Sequence, residues 1–307
     1  SLRASDEAAA LRYLFFAERA APRPTALRDS PAKPVQHAGV VGGGTMGSGI
    51  AAALANAGFR VTLSETSEAA LATGMARIAA IFAAQARRGL HEEAGATDRL
   101  ARISGVVGLE SLATCDLVIE AVFEDLAVKR AVFADLARLC GSDTILASNT
   151  SYLDPEAIVA GLPGAGRFIA LHFFSPAQVM KLLEIIPLRA TAPETLATGF
   201  ALAARLGKIP VQAGNCPGFI GNRILKRYRL AAQDLRAREA ERAAGGALPE
   251  TLDDILVRAG RLGQKSGAGW YDYPAGGRIP QTSAAAQLLL DTHCAPTREM
   301  APEAIAA

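Results

Sequence analysis

The 307-residue sequence predicts an α/β fold, in which a doubly wound, mostly parallel sheet is followed by an all-α C-terminal domain. From His37 onward, short apolar runs alternate with segments of helical periodicity, which is typical of successive β-α-β units. The chain is 50% hydrophobic, which at this length allows a large buried core. After residue 213 the apolar runs stop and the sequence becomes charged and helical through about Arg242, which indicates a second domain.

Composition argues against several kinds of partner. The 32 basic and 30 acidic residues nearly cancel, so no nucleic-acid partner is expected. The apolar stretch near the start is too short and too charged to cross a membrane, so no membrane insertion is predicted. The four cysteines form no CxxC pair and the four histidines are scattered, so neither a disulfide framework nor a metal site is expected. These features favour a reducing compartment, and we predict a cytoplasmic protein.

The first 36 residues divide into a helix and a linker. Within residues 1–21 an amphipathic helix is predicted at Ala8–Ala21, where charged residues interrupt the apolar ones. Residues 22–36 contain four prolines and are predicted to form an extended linker, because proline lacks an N–H and disfavours helix in the residue before it. The start at Ser1, without Met, suggests a fragment or a processed product.

Residues 37–213 carry the pattern of the sheet domain. The predicted elements are, in order, the strand His37–Val41, the helix Thr45–Ala57, the strand RVTLS, the helix from about Ser67 to Arg88, the strand CDLVIEAV, the helix Asp125–Leu139, the strands TILAS, RFIALHFF and KLLEII, and the helix Pro193–Leu206. Pro217 suits the first position of a helix, so the helical domain, residues 214–280, is predicted to open there.

The first strand runs into a glycine-rich turn that indicates a dinucleotide site. Residues 42–47 read G-x-G-x-x-G and open the next helix, which is the context of a Rossmann-type NAD-binding turn. Gly42 permits the tight turn, Gly44 allows the backbone to approach the pyrophosphate, and Gly47 allows close helix–strand packing. With Thr45 and Met46, these residues present the helix N-terminus to the phosphates.

The acidic residue at the end of the second strand predicts the type of cofactor. Glu65 lies 23 residues after Gly42, where a carboxylate accepts hydrogen bonds from the adenosine ribose hydroxyls. A carboxylate there would repel a 2′-phosphate, so NAD is favoured over NADP. The alternative is a glycine-rich turn without a ligand, followed by a merely solvated Glu65.

Six segments together resemble one enzyme family over most of residues 37–273. They are GGGTMGSGIA, EAVFEDLAVK, SNTS, LHFFSP, PGFIGN and GQKSGAGWY. In this order they resemble the 3-hydroxyacyl-CoA dehydrogenase family. The resemblance implies NAD-dependent oxidation of (3S)-3-hydroxyacyl-CoA to 3-oxoacyl-CoA in fatty-acid β-oxidation.

The resemblance also implies the catalytic residues. It assigns His172 as the general base, Glu184 as its partner, and Ser151 and Asn222 as groups near the reacting oxygen and the thioester. An imidazole titrates near neutral pH, where a base that removes a hydroxyl proton works well. If the two strands that carry His172 and Glu184 pair antiparallel, their side chains can face each other.

Further binding residues are implied in the same way. Glu124 and Lys129 are expected beside the nicotinamide end of the cofactor, together with Ser151, and Lys265 approaches the cofactor from the second domain. Coenzyme A carries phosphates, and Arg88, at the end of the long second helix, is a candidate to bind them.

Each of these residues has a structural alternative. A histidine between Leu and Phe is often a hydrogen-bonded core residue, although the matching Glu, Ser and Asn favour function for His172. Ser151 suits a turn or a helix cap, and Asn222 could satisfy backbone groups in its helix. Lys265 could be an exposed loop lysine, and Arg88 a solvated helix end.

The sequence also departs from the family. Its N-terminal helix resembles the end of the hydratase half of bacterial multifunctional fatty-acid oxidation proteins, so this chain is expected to lack a preceding hydratase half. The resemblance also implies a homodimer or contact with a hydratase or thiolase partner. Between Asn222 and Gly263 about half of the family's usual chain is absent, which predicts a shortened helical domain. Residues 281–307 are expected to be a tail that is poorly ordered or helical without a partner.

Two other functions remain open. A shortened helical domain suggests a fragment that binds the dinucleotide without turnover. A β-hydroxyacid dehydrogenase acting on a small acid is a second alternative, but such enzymes typically use a catalytic lysine, whereas this sequence has the HFFSP histidine and Glu184.

Overall fold

The structure is a computed structural model that describes residues 5–22, 24–89, 93–242, 252–261, 268–273 and 281–293. The chain divides into two compact units, Ser1–Lys226 and Arg227–Ala307. The first unit contains an eight-stranded sheet with helices. The second contains helices and a pair of short strands.

The first unit follows the predicted alternation of strands and helices. Its elements are α1 (Asp6–Ala20), β1 (His37–Val41), α2 (Thr45–Asn56), β2 (Arg60–Glu65), α3 (Glu68–Arg87), α4 (Glu93–Leu100), β3 (Ile103–Val107), β4 (Leu117–Glu120), α5 (Leu126–Leu139), β5 (Ile145–Ser148), α6 (Pro155–Val159), β6 (Phe168–Phe173), β7 (Leu182–Pro187), α7 (Pro193–Arg205), β8 (Ile209–Gln212) and the start of α8 (Gly221–Arg242). The strand order is β3-β2-β1-β4-β5-β6-β7-β8. Only β6 and β7 pair antiparallel among these neighbours, so the predicted doubly wound, mostly parallel sheet is confirmed.

Local sequence explains where the strands and helices lie. Every residue of β1, β4, β5 and β6 is buried, as expected for strands that helices cover on both faces. Ser67 caps α3 by accepting a hydrogen bond from the Ala70 amide, and Asp125 caps α5 in the same way through Val128. The chain order reverses between β1 and β4, so a crevice opens there at the carboxyl ends of the strands.

Among the described residues, α3 alone has the length and apolar composition of a membrane-crossing helix. Its Gly74, Ile78 and Phe82 are buried, and it packs on α2, α4, β2 and β3. These contacts account for its apolar face as part of the sheet domain.

Four of these helices and strands were not predicted from sequence. They are the helices α4 and α6 and the two edge strands β3 and β8, each of which has one buried residue. A strand with one buried residue carries little of the apolar alternation on which sequence reading depends.

The predicted start of the second-domain helix is wrong. The helix α8 begins at Gly221, four residues after Pro217. Gly218 and Phe219 both have a positive φ, +75° and +46°, which interrupts a right-handed helix. A turn closed by the Phe219 amide and the Cys216 carbonyl (2.9 Å) occupies this segment instead.

The linker predicted at residues 22–36 is not fully extended. It contains a 3-10 turn at Thr25–Leu27. The Lys33 amide donates to Thr198 Oγ1 (2.8 Å), and the Gln36 amide donates to Asp116 Oδ2 (2.8 Å). These bonds attach the segment to the sheet domain. The helix before it, α1, forms as predicted but buries none of its residues.

The second unit differs from the expected all-α domain with a partnerless tail. It contains α9 (Leu252–Arg258), β9 (Tyr271–Asp272), β10 (Gln281–Thr282) and α10 (Ala284–His293), and β9 pairs antiparallel with β10. Arg261 donates to Asp272 Oδ1 (2.6 Å) and to Ser283 Oγ (2.8 Å), and α10 packs on α9. The expectation of a partnerless tail is therefore wrong for residues 281–293, because strand pairing and the Arg261 side chain anchor them. Residues 294–307 lie outside the described part.

Candidate active site

The glycine-rich turn leaves room for a pyrophosphate. Gly42 has a φ of +97° and its amide donates to the Ser64 carbonyl (2.9 Å), so β1 ends in a tight turn. A Cβ on Gly47 would lie 1.7 Å from the Gly42 carbonyl oxygen, which requires glycine there. Gly44 begins α2 without any side-chain cap, and a Cβ on it would meet nothing within 4 Å. The first amides of α2 therefore face open space, which fits the phosphates of a dinucleotide.

Glu65 lies where the sequence predicts it, at the end of β2 beside the turn. Its Oε1 accepts from the Gly43 amide (2.6 Å) and its Oε2 from the Thr66 amide (3.1 Å). The Gly43 carbonyl accepts from Ser48 Oγ (2.8 Å) and from Arg77 Nη1 (3.0 Å). These bonds fix the turn against β2 and α3. Arg77 was not predicted, since an arginine within a helical period carries no distinctive signal.

We expect NADH to bind this chain at least about tenfold more tightly than NADPH, because a carboxylate at Glu65 repels a 2′-phosphate. The change Glu65→Ser should narrow the gap, mainly by strengthening NADPH binding. Glu68→Gln, an exposed charge in the first turn of α3, is the matched control and should leave the selectivity unchanged. Dissociation constants from fluorescence titration test this, and equal affinities of the unmodified chain for both cofactors would refute it.

A buried group of charges lies at the carboxyl ends of β4 and β5. Lys129 Nζ contacts Glu120 Oε1 (2.6 Å) and Glu124 Oε2 (3.2 Å). The Lys129 and Glu120 side chains are fully buried, whereas that of Glu124 is 35% exposed. Glu120 also accepts from Ser148 Oγ (2.8 Å) and from the Val122 amide (2.8 Å). Glu120 was not predicted from sequence. It is the last residue of an otherwise apolar strand, and its partner Lys129, nine residues later, lies on a different element, α5.

Glu124 organises the loop that carries Ser151. Its Oε1 accepts from Thr150 Oγ1 (2.6 Å) and from the Ser151 and Tyr152 amides (2.8 and 3.0 Å). Burial by itself raises the pKa of Glu124, but these bonds and the Lys129 ammonium hold that pKa below its usual value. Glu124 is therefore ionised at neutral pH.

Asn149 links this loop to the strand of His172. Its Oδ1 accepts from the Phe173 amide (2.9 Å), and its own amide donates to the Glu120 carbonyl (2.8 Å). The Asn149 side chain thus adds one hydrogen bond between the β5 and β6 segments, just beyond the end of β5. Asn149 and Thr150 were also not predicted as site residues. The SNTS segment, to which both belong, is the sequence signal that could have identified them.

His172 and Glu184 face each other across the antiparallel pair of β6 and β7, as predicted. His172 Nδ1 lies 2.6 Å from Glu184 Oε2, and the two side chains are 3% and 0% exposed. The rings of Phe174 and Phe219 pack on the imidazole, with centroids 4.5 and 5.5 Å away. With Nδ1 directed to Glu184, Nε2 makes no hydrogen bond within the described part of the chain and is left for a ligand.

The second oxygen of Glu184 holds the start of α8. Its Oε1 accepts from the Ile220 and Gly221 amides (2.9 and 2.8 Å). The carboxylate therefore serves both the imidazole and the positive end of a helix. Asn222 follows directly in the first turn of α8 and is half-buried, which brings it near the histidine pair in the fold.

The predicted residues do not all gather at one place. The glycine turn, Glu65, Glu124, Ser151 and His172 all lie at or just beyond the carboxyl ends of neighbouring strands. Arg88 caps the opposite end of α3, which at 20 residues is about 30 Å long. It is exposed there and stays a prediction. Lys265 lies outside the described residues.

The loop between β6 and β7 is held by a buried lysine that the sequence did not single out. Lys208 Nζ donates to the Ala177 and Met180 carbonyls (2.7 Å each) and lies 5.6 Å from the Phe173 ring centroid. Burial lowers the pKa of Lys208 from 10.5 to about 8. The loop between β6 and β7 is thus held by a lysine whose positive charge is destabilised by burial.

This burial predicts an alkaline change in stability. Between pH 8 and pH 10.5 the unfolded chain keeps the Lys208 proton while the folded chain has lost it, so the Lys208 contribution to folding stability rises with pH across that window. Below pH 8 both states hold the proton and the contribution is flat. We expect the difference in unfolding free energy between the unmodified chain and Lys208→Met to grow from pH 8 to 10.5. Urea unfolding measures it, the exposed Lys181→Met is the control, and parallel pH profiles would contradict it.

Comparison with known proteins decides the family. Residues 37–216 match the family model described as 3-hydroxyacyl-CoA dehydrogenase, NAD binding domain. The chain belongs to the 3-hydroxyacyl-CoA dehydrogenase family. The family and the cofactor NAD predicted from sequence are thereby confirmed.

Relatives and solved structures agree with this family. The chain is 34% identical to the peroxisomal bifunctional enzyme of Cavia porcellus, over 89% of this chain and 45% of that protein. It is 32% identical to FadB2 of M. tuberculosis, with a TM-score of 0.69 over 78% of this chain and 100% of that one. It is also 32% identical to the (S)-3-hydroxybutyryl-CoA dehydrogenase PaaH1 of Ralstonia eutropha, with a TM-score of 0.65 over 78% and 99% of the two chains. The chain spans about half the length of the curated relatives it matches.

The predicted cytoplasmic location is contradicted. The curated relatives are named as peroxisomal enzymes in animals and as peroxisomal or glyoxysomal proteins in plants. The prediction rested on scattered cysteines and a balanced charge, which describe a reducing environment and do not distinguish one reducing compartment from another.

Proposed function

We propose that this chain oxidises (3S)-3-hydroxyacyl-CoA to 3-oxoacyl-CoA with NAD, in fatty-acid β-oxidation. The observation that carries the proposal is the His172–Glu184 pair, with Nδ1 and Oε2 2.6 Å apart, on the strand hairpin next to the glycine turn and Glu124. A base oriented by a buried carboxylate, beside a dinucleotide site, suits removal of a proton from an alcohol. Members of this family named for 3-hydroxybutyryl-CoA support an acyl-CoA substrate.

NAD would be held at several points of the crevice. The amides at the start of α2 would bind the pyrophosphate, and Glu65 the adenosine ribose. Glu124 and Ser151 would lie toward the nicotinamide half, and the buried Lys129 contacts Glu124. The chemistry that NAD supplies when bound is acceptance of the hydride from C3 of the substrate.

His172 would act as the base through Nε2. The substrate hydroxyl donates its proton to this nitrogen, and the imidazole becomes positively charged. The Glu184 carboxylate stabilises that charge and fixes the ring orientation through Nδ1. Phe174 and Phe219 exclude water from the ring, which strengthens the interaction with the carboxylate.

Ser151 and Asn222 would serve the substrate oxygen. As the hydroxyl becomes a carbonyl, hydrogen bonds from the Ser151 hydroxyl and the Asn222 amide would hold it in place. The Ser151 backbone is anchored by Glu124, and Asn222 by the contact of Glu184 with the first amides of α8. Arg88 would bind a phosphate of coenzyme A, and Lys265 the cofactor.

Turnover assays test the proposal. Oxidation of NADH should be measured with acetoacetyl-CoA and, in parallel, with a long-chain 3-oxoacyl-CoA. Turnover of either substrate supports the dehydrogenase. Tight NADH binding without turnover of either would instead support a fragment that only binds the dinucleotide. That second candidate is favoured by the exposed apolar residues on α8, Ile224 and Tyr228, which are 64% and 72% exposed.

The wider organisation is part of the same proposal. Residues 1–21 would be the end of a preceding hydratase half, 22–36 a linker, 37–213 the NAD-binding domain, 214–280 a shortened helical domain and 281–307 a tail. Residues 281–293 of this tail pair with β9 and pack on α9. A homodimer, or contact with a hydratase or thiolase, would cover apolar surface such as that of α8. The relatives named as a bifunctional enzyme and as a fatty acid β-oxidation multifunctional protein support a partner with a further enzymatic activity.

A further inference from the structure

Three charged side chains at the carboxyl ends of β4 and β5 have charges that do not sum to zero. Lys129 carries one positive charge, and its Nζ contacts the carboxylates of Glu120 (2.6 Å) and Glu124 (3.2 Å). One ammonium and two carboxylates leave a net charge of −1, obtained as +1 from Lys129 and −2 from the two glutamates. Burying charges is costly, so an uncompensated charge in such a group needs an explanation beyond stability.

The excess charge belongs to Glu124, because Glu120 is fully engaged. Glu120 Oε1 accepts from Lys129 Nζ and the Val122 amide, and its Oε2 accepts from Ser148 Oγ. Both Glu120 and Lys129 have 0% side-chain exposure, whereas Glu124 is 35% exposed. Among these three side chains, Glu124 is therefore the one that is exposed.

The fold sets which part of a dinucleotide lies near Glu124. The crevice opens between β1 and β4, and Glu65 on β2 marks the adenosine side. An extended dinucleotide bound across the turn at Gly42 would continue over β4 and β5. Glu124 follows β4 and binds the loop after β5, so it lies on the nicotinamide side.

We infer that the net negative charge of the Glu120–Lys129–Glu124 group shifts the relative affinity of the site toward the oxidised cofactor, an inference that rests on the NAD binding of the proposed function. The oxidised nicotinamide ring carries a positive charge and the reduced ring is neutral, so a net negative charge nearby stabilises the oxidised form selectively. Glu120 and Lys129 act as positioning residues, because they are buried behind Glu124. Thr150 and the amides of Ser151 and Tyr152 hold the same carboxylate from the other side.

Binding constants measured without any acyl-CoA test this inference. Titration calorimetry should give Kd for NAD+ and for NADH with the unmodified chain and with Glu124→Gln. Glutamine keeps an acceptor oxygen for the Ser151 amide but removes the charge. We expect the ratio Kd(NAD+)/Kd(NADH) to rise about three- to tenfold, where tenfold corresponds to about 1.4 kcal/mol. Asp135→Asn removes the same charge from the exposed face of α5 (53% exposed) and should leave the ratio unchanged.

A second variant tests the buried pair. Glu120→Gln keeps the shape of the side chain and removes one negative charge, so the ratio Kd(NAD+)/Kd(NADH) should also rise. The hydrogen bond from Thr150 should still hold Glu124 in this variant. An unchanged ratio in Glu124→Gln overturns the inference. A folded Glu120→Gln protein with the unmodified ratio removes the positioning role of Glu120. If thermal unfolding shows that Glu120→Gln does not fold, the partly exposed Glu124→Gln variant decides the inference by itself. Failure of the unmodified chain to bind either cofactor would instead contradict the proposed function.

Discussion

Replacing His172 with glutamine should lower turnover of a 3-oxoacyl-CoA by about 10²- to 10⁴-fold, the usual contribution of a general base or acid. Glutamine can still donate to Glu184 but cannot exchange a proton near neutral pH. NADH affinity should stay within a few-fold, because the glycine turn and Glu65, which we propose hold the cofactor, lie on other strands. Steady-state rates and NADH titration measure the two effects separately.

A second variant removes the partner carboxylate. Glu184→Gln should also slow turnover, because the positively charged imidazole formed at His172 loses the carboxylate that stabilises it. It also removes the charged acceptor for the Ile220 and Gly221 amides, so some loss of stability is expected. A His172→Gln protein that keeps most of the rate would refute the assignment of the base.

The second large effect is expected at the glycine turn, where two alanine variants should separate folding from cofactor binding. In Gly44→Ala the new Cβ meets nothing within 4 Å, but alanine is a poorer N-cap of α2 than glycine, so the free energy of unfolding should fall by at most about 1 kcal/mol. The same methyl group would occupy the space in which we propose that the pyrophosphate approaches the backbone. NADH affinity should therefore fall at least about tenfold, which is about 1.4 kcal/mol.

Gly47→Ala should behave differently. Its Cβ would lie 1.7 Å from the Gly42 carbonyl oxygen, which is backbone and cannot move without displacing β1 from α2. We expect destabilisation of about 1–3 kcal/mol or more, as for other overpacked positions, together with lost NADH binding. Chemical denaturation and NADH titration of both variants test this. A Gly44→Ala protein with normal NADH affinity would show that the cofactor does not use this turn.

The parts of the fold that the sequence predicted are those in which one local pattern decides the outcome. Fully buried strands such as β4 and β6 appear as continuous apolar runs, and Asp125 marks the start of α5 as a cap. The facing of His172 and Glu184 followed from strand pairing, because opposite residues of an antiparallel pair share a face.

The parts that could not be predicted depend on contacts between distant residues. Phe219 takes a positive φ in a segment where its ring packs on His172, and Pro217 alone suggested an earlier helix start. The two-residue strands β9 and β10 are too short to show any periodicity. The burial of Glu120 with Lys129 depends on how α5 packs over β4, which no local pattern of charges reveals.

Deuterium transfer is the most direct test of the claim that this chain moves a hydride between NAD(H) and C3 of an acyl-CoA. The chain should be incubated with NADH deuterated at both C4 positions and with acetoacetyl-CoA, and the product examined by mass spectrometry and NMR. The account predicts one deuterium at C3 of (3S)-3-hydroxybutyryl-CoA, formed by the unmodified chain and almost absent with His172→Gln. Tight NADH binding without any deuterium at C3 would contradict it.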